Sequence, residues 1–258
     1  NPQIEIITSI EMDHPDMFPS EEKIYQAFYK FACRTPRSGF IVLCTDYPKS
    51  YKLLNSLADR NFETYGFKTG AAWQVIDYEE QEDYSQFFLL NQTKKIGPFK
   101  IKIPGTGNVL NATAAIIVAL KLGIEEKNIK KYLPSFYGVK RRFEKIGQVG
   151  SLTVIDDYAH HPRAITMTLE AAKKRFPNSK VWCIFQPHTY SRTKELLGEF
   201  ARSFKSADKV IITDIYASAR EKESTITGSD LAQEIKPFQG QVKFINDHSK
   251  IIQELVDI

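Results

Sequence analysis

Short apolar strands alternate with amphipathic helices along the second half of the chain. Apolar and β-branched residues fill 152–155, 181–185, 209–213 and 242–245, and apolar positions at helical spacing mark 163–174, 193–204, 229–235 and 248–257. Alternation at this pitch is typical of a parallel, doubly wound sheet. We therefore predict a Rossmann-like, mostly parallel α/β domain over residues 144–258, in which the strands at 152–155 and 181–185 are neighbours in one sheet.

The first half, residues 1–143, has a mixed α/β pattern. We expect apolar strands at Ile4–Ile10 and Phe40–Cys44, and a helix that begins after Ser20, whose hydroxyl suits an N-cap. Short alternating segments over 62–102 predict hairpins, and the strongly apolar run at 108–122 predicts a buried helix. The pattern changes after residue 143, where we place the domain boundary.

Composition narrows the class of protein. With 258 residues, 42% hydrophobic and 26% charged, the chain suits a soluble protein of two domains. A net charge of +4 suits an anionic small substrate and is far from that of a nucleic-acid binder. No apolar run reaches the roughly 20 residues that a membrane span needs. Three scattered cysteines without a C-x-x-C pair favour a reducing compartment, so we expect a cytoplasmic protein without membrane insertion.

Candidate chemistry follows two strands of the second half. The strand at 152–155 leads into a turn that contains Asp157, Tyr158 and His160, and the strand at 181–185 leads into a loop that contains His188 and Arg192. Ligands in open α/β sheets bind outside the carboxyl ends of the strands, so we expect these five side chains around one crevice. Arg192 could bind a carboxylate bidentately. The alternative is that His188 and Arg192 only cap a helix and cover the surface.

Two more residues could rim the same crevice. Tyr216 and Arg220 follow a further strand, at 209–213.

Three stretches of the first half carry further candidates, each with a plain structural alternative. His14, beside Asp13, either ligates a divalent metal or caps a turn. The glycine-rich turn before Asn108 and Asn111 either approaches a nucleotide, with the amides reading an adenine edge, or leaves Asn108 as an N-cap. Arg142, in a basic linker, either clamps a polyphosphate or is solvated. No G-x-x-x-x-G-K-[ST] phosphate loop occurs in the chain.

Together these stretches resemble the Mur ligase family of peptidoglycan precursor synthesis, and within it the branch that adds L-alanine. The resemblance rests on TSIEMDH from Thr8, GNVLNATAA from Gly107, GVKRRFE from Gly138, DDYAHHP from Asp156, FQPHTYSRT from Phe185 and TDIY from Thr213. It implies ATP-dependent ligation of L-alanine to UDP-N-acetylmuramate through an acyl phosphate, with Mg²⁺. A partial ATP-binding central domain would then precede the C-terminal domain.

The resemblance also implies a role for each candidate residue. His14 is similar to a metal-ligating histidine. Asn108 and Asn111 are similar to asparagines around adenine, Arg142 to an arginine on the ATP phosphates, and Asp157 to a nucleotide-side aspartate. The amino-acid pocket and catalytic group would comprise Tyr158, His160, His188 and Arg192.

The chain also departs from the family pattern. An N-terminal uridine-nucleotide domain, the phosphate-loop part of the central domain and a last C-terminal strand are absent from it. Gly107 stands where a histidine is usual, and Thr189 where some members have arginine. Tyr29 stands where several relatives have a carbamoylated lysine, which favours the alanine-adding branch.

These departures predict that the 258 residues alone are inactive. Two alternatives remain: a recycling ligase that attaches a tripeptide, and a non-catalytic nucleotide-binding module. A dinucleotide-binding dehydrogenase domain is disfavoured because no G-x-G-x-x-G follows a strand after residue 144. The sequence does not indicate an oligomeric state.

Overall fold

The computed structural model describes residues 2–15, 17–217, 221 and 225–256, and Arg220 lies outside them. The chain divides into two compact units. The first comprises Asn1–Met12 and Phe18–Lys140, and the second comprises Asp13–Met17 and Arg141–Ile258.

The first unit is built on a six-stranded mixed sheet. Its strands follow the chain order across the sheet: β1 (Ile4–Ile7), β2 (Phe40–Cys44), β3 (Phe62–Gly66), β4 (Trp73–Glu80), β5 (Ser85–Asn91) and β6 (Lys94–Ile101). The pairs from β1 to β4 are parallel, and β4, β5 and β6 pair antiparallel. The hairpins predicted over 62–102 are therefore confirmed.

Four helices and a 3₁₀ turn complete the described part of this unit. They are α1 (Glu21–Ala32), α2 (Pro48–Ser56), α3 (Thr106–Lys121), α4 (Glu126–Tyr132) and the turn Leu133–Ser135. The predicted N-cap of α1 is confirmed, because Ser20 Oγ accepts a hydrogen bond from Lys23 N at 3.3 Å. Glu21 and Glu22 then lie in the first turn, where negative charge complements the helix dipole.

Helix α3 is apolar around most of its circumference because it packs into two clusters. Val109 and Ile116 lie with residues of β5 and β6, whereas Leu110 and Ile117 lie with residues of β2 and β3. A helix buried on more than one side lacks the polar stripe of a surface helix. The buried helix predicted at 108–122 is confirmed.

The second unit contains a hairpin and a three-stranded parallel sheet. The hairpin joins β7 (Glu144–Val149) to β8 (Leu152–Asp156), and the sheet has the order β11 (Val242–Phe244), β10 (Lys209–Ile212), β9 (Trp182–Phe185). The helices are α5 (Pro162–Arg175), α6 (Tyr190–Glu195), α7 (Leu197–Ser203), α8 (Gly228–Ile235) and α9 (His248–Val256). The mixed α/β class, with mostly parallel pairing, agrees with the prediction.

One predicted pairing is wrong. The strand expected beside 181–185 in a parallel sheet pairs instead with β7, antiparallel, from Glu144↔Asp156 to Val149↔Leu152. Gly150 (φ 57°) and Ser151 form a two-residue turn, and a glycine at the first of two turn positions favours a tight hairpin. The local turn thus supplies β8 with a partner, β7, which the sequence analysis had not predicted as a strand.

Candidate functional site

Side chains from the two predicted turns lie together in the second unit. The ring centroids of Tyr158 and His160 are 5.1 Å apart, and those of His160 and His188 are 6.4 Å apart. His188 stacks on Tyr216 at 5.4 Å with an interplanar angle of 14°. These four rings form a continuous row, which we call the aromatic row. Three of the five predicted side chains, those of Tyr158, His160 and His188, therefore lie together, although β8 and β9 belong to different sheets.

Backbone contacts at the strand ends explain how the aromatic row forms. Tyr216 N donates to Pro187 O at 2.8 Å, and His188 and Tyr216 form a parallel bridge beyond the ends of β9 and β10. On the other side, His161 is the N-cap of α5 and Pro162 occupies its first turn, which ends the extended chain after His160.

His160 is held in one tautomer. Its Nδ1 lies 2.9 Å from the carbonyl oxygen of Tyr158, which can only accept a hydrogen bond, so Nδ1 carries the proton and Nε2 is the basic nitrogen of the neutral ring. Burial lowers the pKa of His160, and the Arg192 and His188 charges add to this. The Tyr158 carbonyl and Asp13 oppose the shift only in part. The neutral form therefore dominates near pH 7.

Arg192 is the most enclosed charged group of the site, with 3% of the residue exposed. Its Nε and Nη2 donate to Asp13 Oδ1 at 3.0 and 2.8 Å, and its Nη1 donates to His188 O at 2.6 Å. The sequence predicted that Arg192 holds a substrate carboxylate. In the structure it holds the protein's own Asp13, which lies in the segment that clusters with the second unit.

The same contact changes the ionisation of Asp13. Burial alone would raise the pKa of Asp13, but the Arg192 guanidinium and the hydrogen bond from His14 N outweigh it and hold that pKa below its usual value. Asp13 is thus an ionised partner of Arg192, a role that the sequence gave no signal for because the two residues are 179 positions apart.

The Asp157 carboxylate accepts hydrogen bonds from two backbone N–H groups. Its Oδ2 accepts from Phe143 N and its Oδ1 from Ala159 N, both at 2.8 Å. Phe143 has a left-handed backbone (φ 51°), a strained conformation for a bulky residue that such a bond helps to hold. The structure therefore gives Asp157 a structural task, while its predicted nucleotide role stays a prediction.

Arg141 is a contributor that the sequence analysis missed. Its guanidinium lies 4.8 Å from the centroid of the Tyr158 ring and its Nε lies 3.3 Å from Asp156 Oδ2. Tyr158 N also donates to Arg141 O at 2.8 Å. Arg141 and the neighbouring Arg142, which had been selected, are both exposed. Arg141 has a left-handed backbone (φ 59°), and the motif alone does not reveal which of the two arginines meets Tyr158.

In the first unit, α3 begins earlier than it would if Asn108 were its N-cap. Gly105 is the N-cap, with φ 97°, a conformation that favours glycine. Asn108 therefore lies inside the first turn, and the alternative that it caps the helix is wrong. Its Nδ2 donates to Pro104 O at 2.8 Å, and Asn111 is exposed.

The described residues do not make a metal site by themselves. His14 has 57% of its side chain exposed and its Nε2 lies 3.7 Å from Asp13 Oδ2. Among the described residues, no group of three or more His, Cys, Asp or Glu side chains is placed to hold an ion. His14 offers one ligand at most, which does not fit a complete Mg²⁺ site.

None of the helices in the described part of the chain is long and apolar enough to cross a membrane.

Comparison with known proteins identifies the class. Residues 1–119 match the Mur ligase middle domain, and residues 141–258 match the Mur ligase glutamate ligase domain. The chain belongs to the Mur ligase family and contains its middle and C-terminal domains.

Individual relatives are more specific. The UDP-N-acetylmuramate–L-alanine ligases of Caldanaerobacter subterraneus subsp. tengcongensis and Alkaliphilus metalliredigens are each 43% identical, over 98% and 99% of this chain and 55% of their own length. The chain thus spans about half the length of the curated relatives it matches. The crystal structure of the UDP-N-acetylmuramate–alanine ligase of Thermotoga maritima has a TM-score of 0.75 at 27% identity, covering 95% of this chain and 51% of that one.

Proposed function

We propose that the chain is the middle and C-terminal part of a cytoplasmic, bacterial ATP-dependent ligase that joins L-alanine to UDP-N-acetylmuramate in peptidoglycan precursor synthesis. The relatives at 43% identity support the reaction. The aromatic row beside Arg192 carries the proposal, because it puts a bulky ring, a basic imidazole and a guanidinium at one place.

The reaction has two steps. The muramoyl carboxylate takes the γ-phosphoryl group of ATP, which leaves ADP and an acyl phosphate. The amine of L-alanine then attacks the acyl carbon, the amide bond forms and phosphate leaves. Alanine is an ammonium ion near pH 7 and must lose a proton before it attacks. His160 Nε2 is an unprotonated nitrogen in the aromatic row and suits that acceptor role.

The alanine pocket draws on the other side chains of the site. The half-exposed ring of Tyr158 limits the length of the amino-acid side chain, and the His188 ring lies next to the His160 ring in the row. The alanine carboxylate competes with Asp13 for Arg192, because Asp13 already occupies two of the guanidinium donors.

We assign four residues to the nucleotide. Asn108 and Asn111 would contact adenine, Arg142 the phosphates, and Asp157 the nucleotide side of the second unit. His14 would supply one ligand to Mg²⁺, which would screen phosphoryl charge in the reaction.

The test is a phosphate-release assay on the full-length protein with ATP, UDP-N-acetylmuramate and either L-alanine or a tripeptide. We expect release that depends on L-alanine. Release that depends on the tripeptide alone would instead identify a recycling ligase. Absence of release with both would favour a non-catalytic nucleotide-binding module.

The 258-residue chain is the matched control for the same assay. We expect it to release no phosphate above background, since it has no phosphate loop for the β- and γ-phosphates. Alanine-dependent release by this chain would contradict that expectation.

A further inference from the structure

Glu80, the last residue of β4, is hydrogen-bonded to the start of α3. One of its oxygens, Oε2, accepts three hydrogen bonds: from Tyr78 Oη at 2.6 Å, from Ser85 Oγ at 2.8 Å and from Gly105 N at 3.1 Å. Ser85 is fully buried and lies opposite Glu80 in the β4–β5 ladder. The carboxylate is thus held by its own hairpin before it reaches the helix.

The bond to Gly105 satisfies a group that the helix cannot satisfy. Gly105 is buried, it is the N-cap of α3, and the N–H groups at a helix start have no partner within the helix. The next support comes from Asn108, whose side chain donates to Pro104 O. Glu80 and Asn108 therefore fix Gly105 and Pro104, the two residues that precede the helix.

The charge of Glu80 indicates which ligand this helix start accepts. A helix N-terminus attracts anions, but a carboxylate bonded to the N-cap already complements the helix dipole there. A phosphate at the same place would meet the negative charge of Glu80. A neutral base that hydrogen-bonds to asparagine amides would not.

We propose that Glu80 is a positioning residue for nucleotide binding: it holds the start of α3 so that Asn108 and Asn111 present their amides to the base of ATP rather than to its phosphates. This rests on the proposed function of those two asparagines. The loss of a charge-assisted hydrogen bond at the N-cap lets the helix start move without removing any group that touches the nucleotide.

The experiment uses the full-length protein and the variant Glu80→Gln, with Glu79→Gln as the matched control. Glu79 is the neighbouring residue of β4 and is exposed. We expect Glu80→Gln to weaken binding of adenosine and of a non-hydrolysable ATP analogue by about three- to tenfold in calorimetry, and to raise KM for ATP by a similar factor. KM for L-alanine and the affinity for inorganic tripolyphosphate should stay within twofold, and Glu79→Gln should change none of these.

The direction of the change in tripolyphosphate affinity shows whether the start of α3 holds a phosphate or a base. If the start of α3 held phosphate, removal of the Glu80 charge would tighten tripolyphosphate binding, and that result would overturn the proposal. Unchanged adenosine binding in a folded Glu80→Gln protein would overturn it too, because it would leave Glu80 with a purely structural role.

If Glu80→Gln does not fold, as judged by circular dichroism, Ser85→Ala removes one partner of the same oxygen and should weaken adenosine binding in the same direction, by about twofold. An unchanged affinity in Ser85→Ala would then refute the proposal.

Measurement of adenosine binding also tests the role of Glu80 independently of the proposed ligation of L-alanine. Adenosine affinity does not depend on whether L-alanine is the amine, so the wild-type protein can fail the ligation assay while the Glu80 comparison remains decisive.

Discussion

Removal of Arg192 tests whether its pairing with Asp13 holds the second unit together. Arg192→Met keeps a long apolar stem but removes the guanidinium donors from the His188 carbonyl and from the Asp13 carboxylate, which keeps the hydrogen bond from His14 N. Removal of one partner from a fully buried ion pair costs about 3–5 kcal/mol. Asp13 has 35% of its side chain exposed, so water recovers part of that cost and we expect a loss of about 1–3 kcal/mol.

A double-mutant cycle in the 258-residue chain isolates the pair. Urea unfolding of Arg192→Met, Asp13→Asn and the double variant should give a coupling free energy of about 1–2 kcal/mol. The pair Arg37–Asp59 is the matched control, since it has a similar N–O distance of 3.0 Å but side-chain exposures of 79% and 52%. Its coupling should be below about 0.5 kcal/mol. Equal coupling in the two cycles would refute the argument that enclosure strengthens the Arg192 contact.

The pH dependence of the same cycle has a definite sign. The pKa of Asp13 is lowered in the folded state from an ordinary value of 3.8, so the unfolded chain takes up the proton first as pH falls. The Arg192–Asp13 coupling should therefore be complete above about pH 5, decrease below about pH 4, and vanish below the folded pKa. A coupling that already declines above about pH 5 would contradict the lowered pKa of Asp13.

Three further predictions concern the turn after β8. The pKa of His160, followed by NMR, should lie below its ordinary 6.5 because burial disfavours the charged ring. The contribution of His160 to stability should therefore be complete above pH 6.5 and decline at lower pH. A measured pKa above 6.5 would contradict this prediction. Asp157→Asn replaces one of two acceptors for Phe143 N and Ala159 N, and should lower the free energy of unfolding by about 1–2 kcal/mol in urea melts, where no change would show that these bonds add nothing. Tyr158→Ala in the full-length protein should admit longer amino acids, such as valine, with kcat/KM raised about tenfold relative to alanine, and an unchanged preference would remove Tyr158 from the pocket.

The sequence by itself determined most of the local structure. Ser20 caps α1, the segments over 62–102 form hairpins, and α3 is buried, because caps, alternation and apolar periodicity depend on residues a few positions apart. The grouping of Tyr158, His160 and His188 also followed from the sequence, since each lies just beyond the end of a recognisable strand.

Only the tertiary structure decided which distant groups meet. It paired Arg192 with Asp13, bound Glu80 to Gly105, and gave β8 an antiparallel partner instead of β9. Each outcome depends on where a buried donor or a strand edge finds its partner after the chain has folded back on itself. Hydrophobic periodicity shows which face of an element is buried. It does not show which distant residue forms a hydrogen bond with the polar groups next to that face.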